Sequence, residues 1–348
     1  MTPRCLIVSD AAPSRTGAAG WRRLRMFAEF YRGLGYDLQF LSLSEERPSL
    51  VAVQEARAQI GAPAFAKPED AGRVVERMDA RWAFDLFHFA AAGAPAWLGA
   101  GRTGVRVTDG LSALHARGRL GARRVHSDII LAADAAEQNL AGAAGVEALR
   151  VYHLGDARRS TLKRIGGDDV RAGVWVENDD NAVAASEKLL DALRTRGGGA
   201  PPSFLVGGPG AARVTAPRLA RPVTILDADL SERAFYRGVD VALFSESEGE
   251  VDLRYGLFTA MELGATPLAS SAVLRGEFAN WRLPHFADLD AFAEYLFERG
   301  RDLRDGGLLA ELRARADWTW SGLQRAAAAE RRTLIDALRA KTKETAHA

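Results

Sequence analysis

Short apolar runs recur along the chain, separated by longer stretches in which apolar side chains return every third or fourth position. In the first half the runs predict strands over Cys5–Ser9, Leu38–Leu43, Leu86–Phe89, Val105–Thr108, Ile129–Ala133 and Leu149–Leu154. Between the first two, Leu24, Phe27, Tyr31 and Leu34 stand at helical spacing and predict a helix over Gly20–Gly33 with a Gly-rich stop. Strand, helix, strand in that order is a βαβ unit with a right-handed crossover. The second half repeats the scheme. Strands are expected over Ala172–Glu177, Ser203–Val206, Val223–Leu226, Val239–Phe244, Thr266–Ala269 and Leu283–Phe286. Helices are expected over Asn181–Arg196, Ser231–Gly238, Leu253–Leu263, Leu289–Gly300 and Leu308–Ala316. From Trp320 to Lys343 the pattern predicts one long helix, charged on most faces, with Leu323, Leu334 and Leu338 free to dock. Arg164–Val170 (RIGGDDV) reads as a linker and Gly197–Pro202 (GGGAPP) as a turn. The fold class that follows is α/β: Rossmann-like doubly wound domains over 1–165 and 166–319, facing across a cleft, and a C-terminal helix over 320–348.

Length agrees, since 348 residues exceed one ordinary core. A hydrophobic share of 47% and a charged share of 26% are those of a soluble globular protein. No apolar run reaches the roughly 18 residues of a membrane helix, and MTPRCLIVSD turns polar too soon for a signal peptide. One cysteine, Cys5, excludes a disulfide framework, so a reducing cytoplasm is expected; no Cys/His cluster has zinc spacing. The net charge of +1 hides an asymmetry: residues 1–165 are net basic and 166–348 net acidic. A basic first half could face an anionic acceptor or a membrane surface, or reflect the drift of an Arg-rich composition. The helix Gly20–Gly33 combines Trp21, Phe27, Phe30 and Tyr31 with arginines, which suits either a membrane interface or a core face.

Candidate chemistry gathers at the strand ends. The run Phe235–Ser271 reads as helix, buried strand, Ser/Glu/Gly-rich loop, helix, Gly turn and strand. That order puts an acidic loop and a helix N-terminus at the carboxyl edge of a parallel sheet, where open α/β sheets bind ligands and where N–H groups meet a phosphate. The first loop, Asp10–Gly20, holds Arg15, Gly17 and Gly20. It is too long and wrongly spaced for GxGxxG, which speaks against a nicotinamide fold. Asp109, in TDGLS at the end of a strand, can take a proton from an acceptor hydroxyl, or cap the next helix. His88, in FDLFHF, is a second polar candidate, with His115 and His126 behind it. Gly207 and Gly208, in FLVGGPG, allow a close approach to a ligand.

These stretches resemble GT-B glycosyltransferases, above all family four. The resemblance rests on the glycine first loop with its basic helix, on ALRVYHLGD (Ala148–Asp156), on FLVGGPG, on the AMELG helix and on ADWTWS (Ala316–Ser321). TDGLS resembles the xanthan-assembly glucuronosyltransferase, an inverting GT-B enzyme in which the matching aspartate is the general base. The family-four glutamate pair, anchored on AMELG, falls near Val251 and on Thr259, with Glu248 and Glu250 close to the first position. The ribose-binding carboxylate is therefore replaced. Where family four carries an Arg and a Lys, this chain has Glu177, Asn178, Asp179 and Asp180. Arg254 at the helix start is the best substitute, with Arg15 or the helix end as others. Tyr255 and Gly256 complete the expected donor site.

The resemblance implies a hexosyltransferase-type enzyme of polysaccharide biosynthesis. It would take a nucleotide-diphosphate sugar as donor substrate, without metal or cofactor, and a glycan, lipid-linked or protein acceptor. It implies a cytoplasmic site of action with peripheral membrane contact at the inner face, and no nucleic-acid partner. Asp109 would be the base if the reaction inverts. A non-catalytic GT-B relative acting as binding or scaffold partner is the alternative, and a sugar-nucleotide epimerase of the same plan a third.

Overall fold

The structure is a computed structural model. It describes residues 2–10, 19–43, 50–90, 104–121, 126–151, 154, 170–177, 180–195, 203–215, 223–226, 230–244, 250–270, 285–286, 291, 294–295, 298–299 and 307–347. The chain divides into two compact units, one comprising Met1–Ser14, Gly20–Asp156 and Arg325–Ala348, the other Arg15–Ala19 and Ala157–Gln324.

The first unit is built on a seven-stranded sheet. Its strands are β1 (Arg4–Ser9), β2 (Asp37–Leu43), β3 (Ala62–Ala66), β4 (Leu86–Ala90), β5 (Val105–Asp109), β6 (Ile129–Ala132) and β7 (Leu149–Arg150). They lie in the order β3-β2-β1-β4-β5-β6-β7, and all pairs are parallel. The helices are α1 (Ala19–Gly33), α2 (Leu50–Gln59), α3 (Ala71–Trp82), α4 (Leu111–Ala116) and α5 (Ala135–Ala143). The second unit holds β8 (Arg171–Trp175), α6 (Asp180–Thr195), β9 (Ser203–Gly207), β10 (Val223–Ile225), α7 (Glu232–Gly238), β11 (Val241–Phe244), α8 (Glu250–Glu262), β12 (Thr266–Ser270) and β13 (His285–Phe286). Its order, β10-β9-β8-β11-β12-β13, is again all parallel. Both sheets start at a central strand, grow one way, then cross over and grow the other way. That is the doubly wound Rossmann pattern. Sheets covered on both faces need strands that are apolar throughout, and β4 and β11 are buried at every position.

One feature of the amino edge recurs. Arg4 N donates to Asp85 Oδ2 at 2.7 Å, Arg106 N to Asp128 Oδ2 at 2.8 Å, and Arg171 N to Asp240 Oδ2 at 2.8 Å. In return Asp85 N, Asp128 N and Asp240 N donate to the carbonyls of Arg4, Arg106 and Arg171. Each aspartate just before a strand thus clasps the first or second residue of its neighbour and fixes the register there.

Several elements depart from the pattern reading. β3 (APAFA) went unforeseen because Ala and Pro are poor strand formers; Pro63 is tolerated because β3 is an edge strand. α3 carries buried Val75 and Met78 at helical spacing, a signal the reading passed over. The helices expected over Leu308–Ala316 and from Trp320 are one continuous helix, Gly307–His347, since nothing between them breaks it. Its part from Arg325 onward belongs to the first unit, where Leu334 and Leu338 are buried and Arg331 lies over the Phe30 ring at 5.8 Å. Trp320 is buried in the second unit and packs against Phe258 at 6.3 Å.

The membrane-interface reading of α1 is corrected. Trp21, Phe27, Phe30 and Tyr31 are all buried, as are Arg22 and Arg23, so the aromatics form a core face. Among the described residues no helix is long and apolar enough to cross a membrane.

Candidate functional site

Ligands of open α/β sheets bind outside the carboxyl ends of the strands, where the order reverses. In the first unit that point lies between β1 and β4, with α1 beginning beside it. Asp109 ends β5 and is almost fully buried. Arg23, in the first turns of α1, donates from Nε to Asp109 Oδ2 and from Nη2 to Asp109 Oδ1, both at 2.5 Å. Its Nη1 reaches the Val151 carbonyl at 3.4 Å, and the guanidinium sits 5.1 Å from the Phe27 ring centre. Such a bidentate fork is the strong form of an Arg–carboxylate pair.

The aspartate does not cap the helix that follows it. The residue before α4 is Gly110, at φ 77°, with no side-chain cap; Ser112 N is taken instead by Glu137 Oε1 at 2.8 Å. Glu137 also accepts from Ala133 N at 2.8 Å while Asp134 caps α5, so one buried carboxylate ties the starts of α4 and α5 together.

Two residues along β4 from the register partner of Asp109, and on the same face, lies His88. His88 Nδ1 and the Tyr31 hydroxyl share a hydrogen bond of 2.7 Å, and the imidazole packs on Phe27 at 4.4 Å. Burial drives the His88 pKa down to about 4; Asp109 opposes that shift and Arg23 adds to it. Burial likewise pushes the Tyr31 phenol well above its usual range. Both are therefore uncharged near neutrality. His88 Nε2 has no hydrogen-bond partner among the described residues. A recess of about 880 Å³ opens at the same sheet edge on the α3 side, and Asp109 does not line it.

In the second unit the carboxyl edge is closed by backbone. Val176 N donates to the Gly207 carbonyl at 2.8 Å and Gly210 N to the Val176 carbonyl at 3.0 Å. Trp175 Nε1 donates to Glu177 Oε1 at 3.1 Å, and the indole belongs to an aromatic group with Phe235 and Tyr236. A Cβ at Gly207 would come within 2.5 Å of the Phe235 ring, and one at Gly208 within 2.4 Å of the Val176 carbonyl oxygen. Packing of the chain on itself thus already requires both glycines.

No protein family and no curated protein matches the sequence. Solved structures do. A glycosyltransferase from Rickettsia africae ESF-5 is 11% identical, with a TM-score of 0.59 over 99% of this chain and 100% of the other. An α-glucosyltransferase solved with UDP and a 13-mer DNA containing an HMU base is 10% identical, with a TM-score of 0.60 over 97% and 100%. A sucrose-phosphate synthase from Thermosynechococcus elongatus is 12% identical, with a TM-score of 0.56 over 96% and 100%. The fold is GT-B.

The residues singled out by the GT-B resemblance fall as follows. Asp109 and His88 lie on one face of the first sheet, near α1. Gly20 lies in the first turn of α1. Arg15, Gly17 and Glu248 lie outside the described residues. Gly207 ends β9, and Gly208 follows it at φ 109°. Glu250, Arg254 and Tyr255 lie on the first turns of α8, their side chains outside the described part. Gly256 and Thr259 are buried further along that helix. Of the GT-B landmarks in ALRVYHLGD, His153 and Gly155 are likewise outside the described residues. The sequence marks Arg23 only as one arginine of the basic helix, not as the partner of Asp109, and does not single out Tyr31 or Glu137 as site residues. A signal existed for Arg23: it shares the stripe of Phe27 and Tyr31, and a cation on an apolar stripe needs a buried counter-charge.

Proposed function

We propose that this protein is a glycosyltransferase that moves a sugar from a nucleotide-diphosphate sugar to an acceptor hydroxyl. The observation that carries this reading is the near full-length likeness, through both doubly wound sheets, to transferases of which one was solved with UDP. In such a transfer the acceptor oxygen attacks the anomeric carbon, the bond to the diphosphate breaks with its electron pair, and a base receives the hydroxyl proton. Asp109 is the proposed base of an inverting reaction. Both its oxygens accept from Arg23, so one of those bonds yields when the proton arrives. The start of α8, with Arg254, is the proposed cradle for the diphosphate. A glycan, lipid-linked or protein acceptor in the cytoplasm, in polysaccharide assembly, is the setting this reading favours.

Calorimetric titration with UDP-, GDP- and ADP-sugars tests it, followed by a transfer assay with the sugar that binds. Saturable binding of one donor is expected; no binding of any would overturn the proposal. A non-catalytic relative has one observation in its favour, the commitment of both Asp109 oxygens to Arg23. Donor binding without hydrolysis or transfer across a broad acceptor panel would decide for it.

A further inference from the structure

The long C-terminal helix, α9 (Gly307–His347), belongs to the first unit from Arg325 onward, and there its two sides are unlike. The inner side is engaged: Ala327, Leu334 and Leu338 are buried, Arg331 lies over the Phe30 ring, and Glu330 faces Arg150 at 3.9 Å. At about 100° per residue, Arg325, Ala329, Arg332, Asp336, Arg339 and Lys343 fall on the opposite side, within about 40° of one line. All six are exposed. They follow one another in alternating steps of four and three residues, the seam along which two helices lie side by side. The row is about 27 Å long.

Exposed helical charges are commonly matched by an opposite charge three or four positions away. Asp336 stands four residues after Arg332 and three before Arg339, yet none of the three has an ion-pair partner among the described residues. Neither do Arg325 and Lys343. Four cations and one carboxylate leave the row net positive.

The composition of the row selects its occupant. Ala328, Ala329 and Ala340 fill exposed positions beside the cations, and no exposed large apolar residue among the described ones lies on α9, so a bilayer finds no anchor there. A run of phosphates would meet Asp336 in mid-row as a like charge. A second helix suits both features. Small alanines let it approach closely, and it can set carboxylates opposite the cations and a cation opposite Asp336. We propose that this face of α9 docks an acidic helix of a partner protein, with Asp336 fixing the register. The assignment stands independently of the glycosyl-transfer reading.

The test uses the full chain and helical peptides carrying Glu, Ala, Glu, Lys, Glu and Glu at the spacing of the row, made in both chain directions. Fluorescence anisotropy should show saturable binding of one direction, weakened roughly tenfold when salt rises from about 0.05 M to about 0.5 M. Arg332→Ala combined with Arg339→Ala, which puts a strong helix former at both positions, should weaken it about tenfold. The same loss of charge elsewhere in the unit, Arg57→Ala with Arg77→Ala, both exposed, should leave it unchanged. A peptide with Glu in place of the Lys that faces Asp336 should bind the parent less well, and Asp336→Lys should invert that preference. The proposal is overturned if neither direction binds, or if phosphatidylglycerol vesicles or a DNA duplex bind more tightly. It is equally overturned if the all-acidic peptide binds the parent better, or if R332A/R339A has no effect. Self-association of the parent that R332A/R339A abolishes would give the face to a second copy of this chain, and that too overturns it.

Discussion

Arg23 and Asp109, far apart in sequence, meet through two parallel hydrogen bonds of 2.5 Å, with their side chains 8% and 2% exposed. The pair stitches the start of α1 to the end of β5. Removing one partner leaves an uncompensated buried charge, which costs about 3–5 kcal/mol, whereas exchanging both for apolar groups of similar volume is far milder. Asp109→Ala should therefore lower the urea midpoint strongly, and the double variant R23M/D109L should recover most of the loss. Asp109→Asn then separates roles. If Asp109 is the base, transfer falls by orders of magnitude even at temperatures where the variant is fully folded.

His88 makes stability depend on pH. Its pKa is about 4 in the folded protein against 6.5 for the free side chain, because burial disfavours the imidazolium. The unfolded chain then binds the extra proton, so this contribution is complete above 6.5 and is lost as pH falls from 6.5 to about 4. The full span is worth on the order of 3 kcal/mol. The double variant Y31F/H88F leaves no orphaned polar partner. Its stability, measured by urea unfolding between pH 4 and 7.5, should fall less steeply than that of the parent. Equal slopes would exclude a buried neutral histidine.

The strands carrying these residues were legible in the chain because parallel strands covered on both faces are continuous apolar runs: β1, β4 and β11 stand out unaided. β3 did not, since an edge strand of Ala and Pro has no such signature. The candidate site was legible in part. Asp109 and His88 stand out as polar groups at a strand end or within an apolar run, but the sequence does not show which groups they pair with. Arg23 and Tyr31 come from a different element, and only the docking of α1 on the sheet brings them within hydrogen-bond reach. The glycines at the end of β9 read, from the sequence, as room for a ligand. In the folded chain Phe235 and the Val176 backbone already use that room.

That crowding makes a prediction. Gly208 has φ 109°, and a Cβ there would meet the Val176 carbonyl oxygen at 2.4 Å. Gly118, at φ 63°, has nothing within 4 Å of its Cβ position. Gly118→Ala should cost only the backbone strain, about 1–2 kcal/mol. Gly208→Ala adds a clash with main chain that cannot swing aside, and should cost roughly 3 kcal/mol or more, or abolish soluble expression. Thermal unfolding of the two variants side by side checks the order.

Glu137 offers a test in which volume hardly changes. Both its oxygens accept from backbone N–H groups, Oε1 from Ser112 and Oε2 from Ala133, and the side chain is buried. Glu137→Gln turns one acceptor into an NH₂ group that faces a donor. Whichever way the amide is oriented, one N–H loses its partner. An unsatisfied buried donor costs about 1–3 kcal/mol. Because Ser112 belongs to the short helix directly after Asp109 and Gly110, the loss should concentrate there. Hydrogen exchange should show the amide of Ser112 or of Ala133 exchanging roughly tenfold or more faster in the variant, with the strands of the second unit unaffected. Uniform acceleration across both units would mean that the carboxylate stabilises the fold as a whole and does not fix the local turn at Asp109.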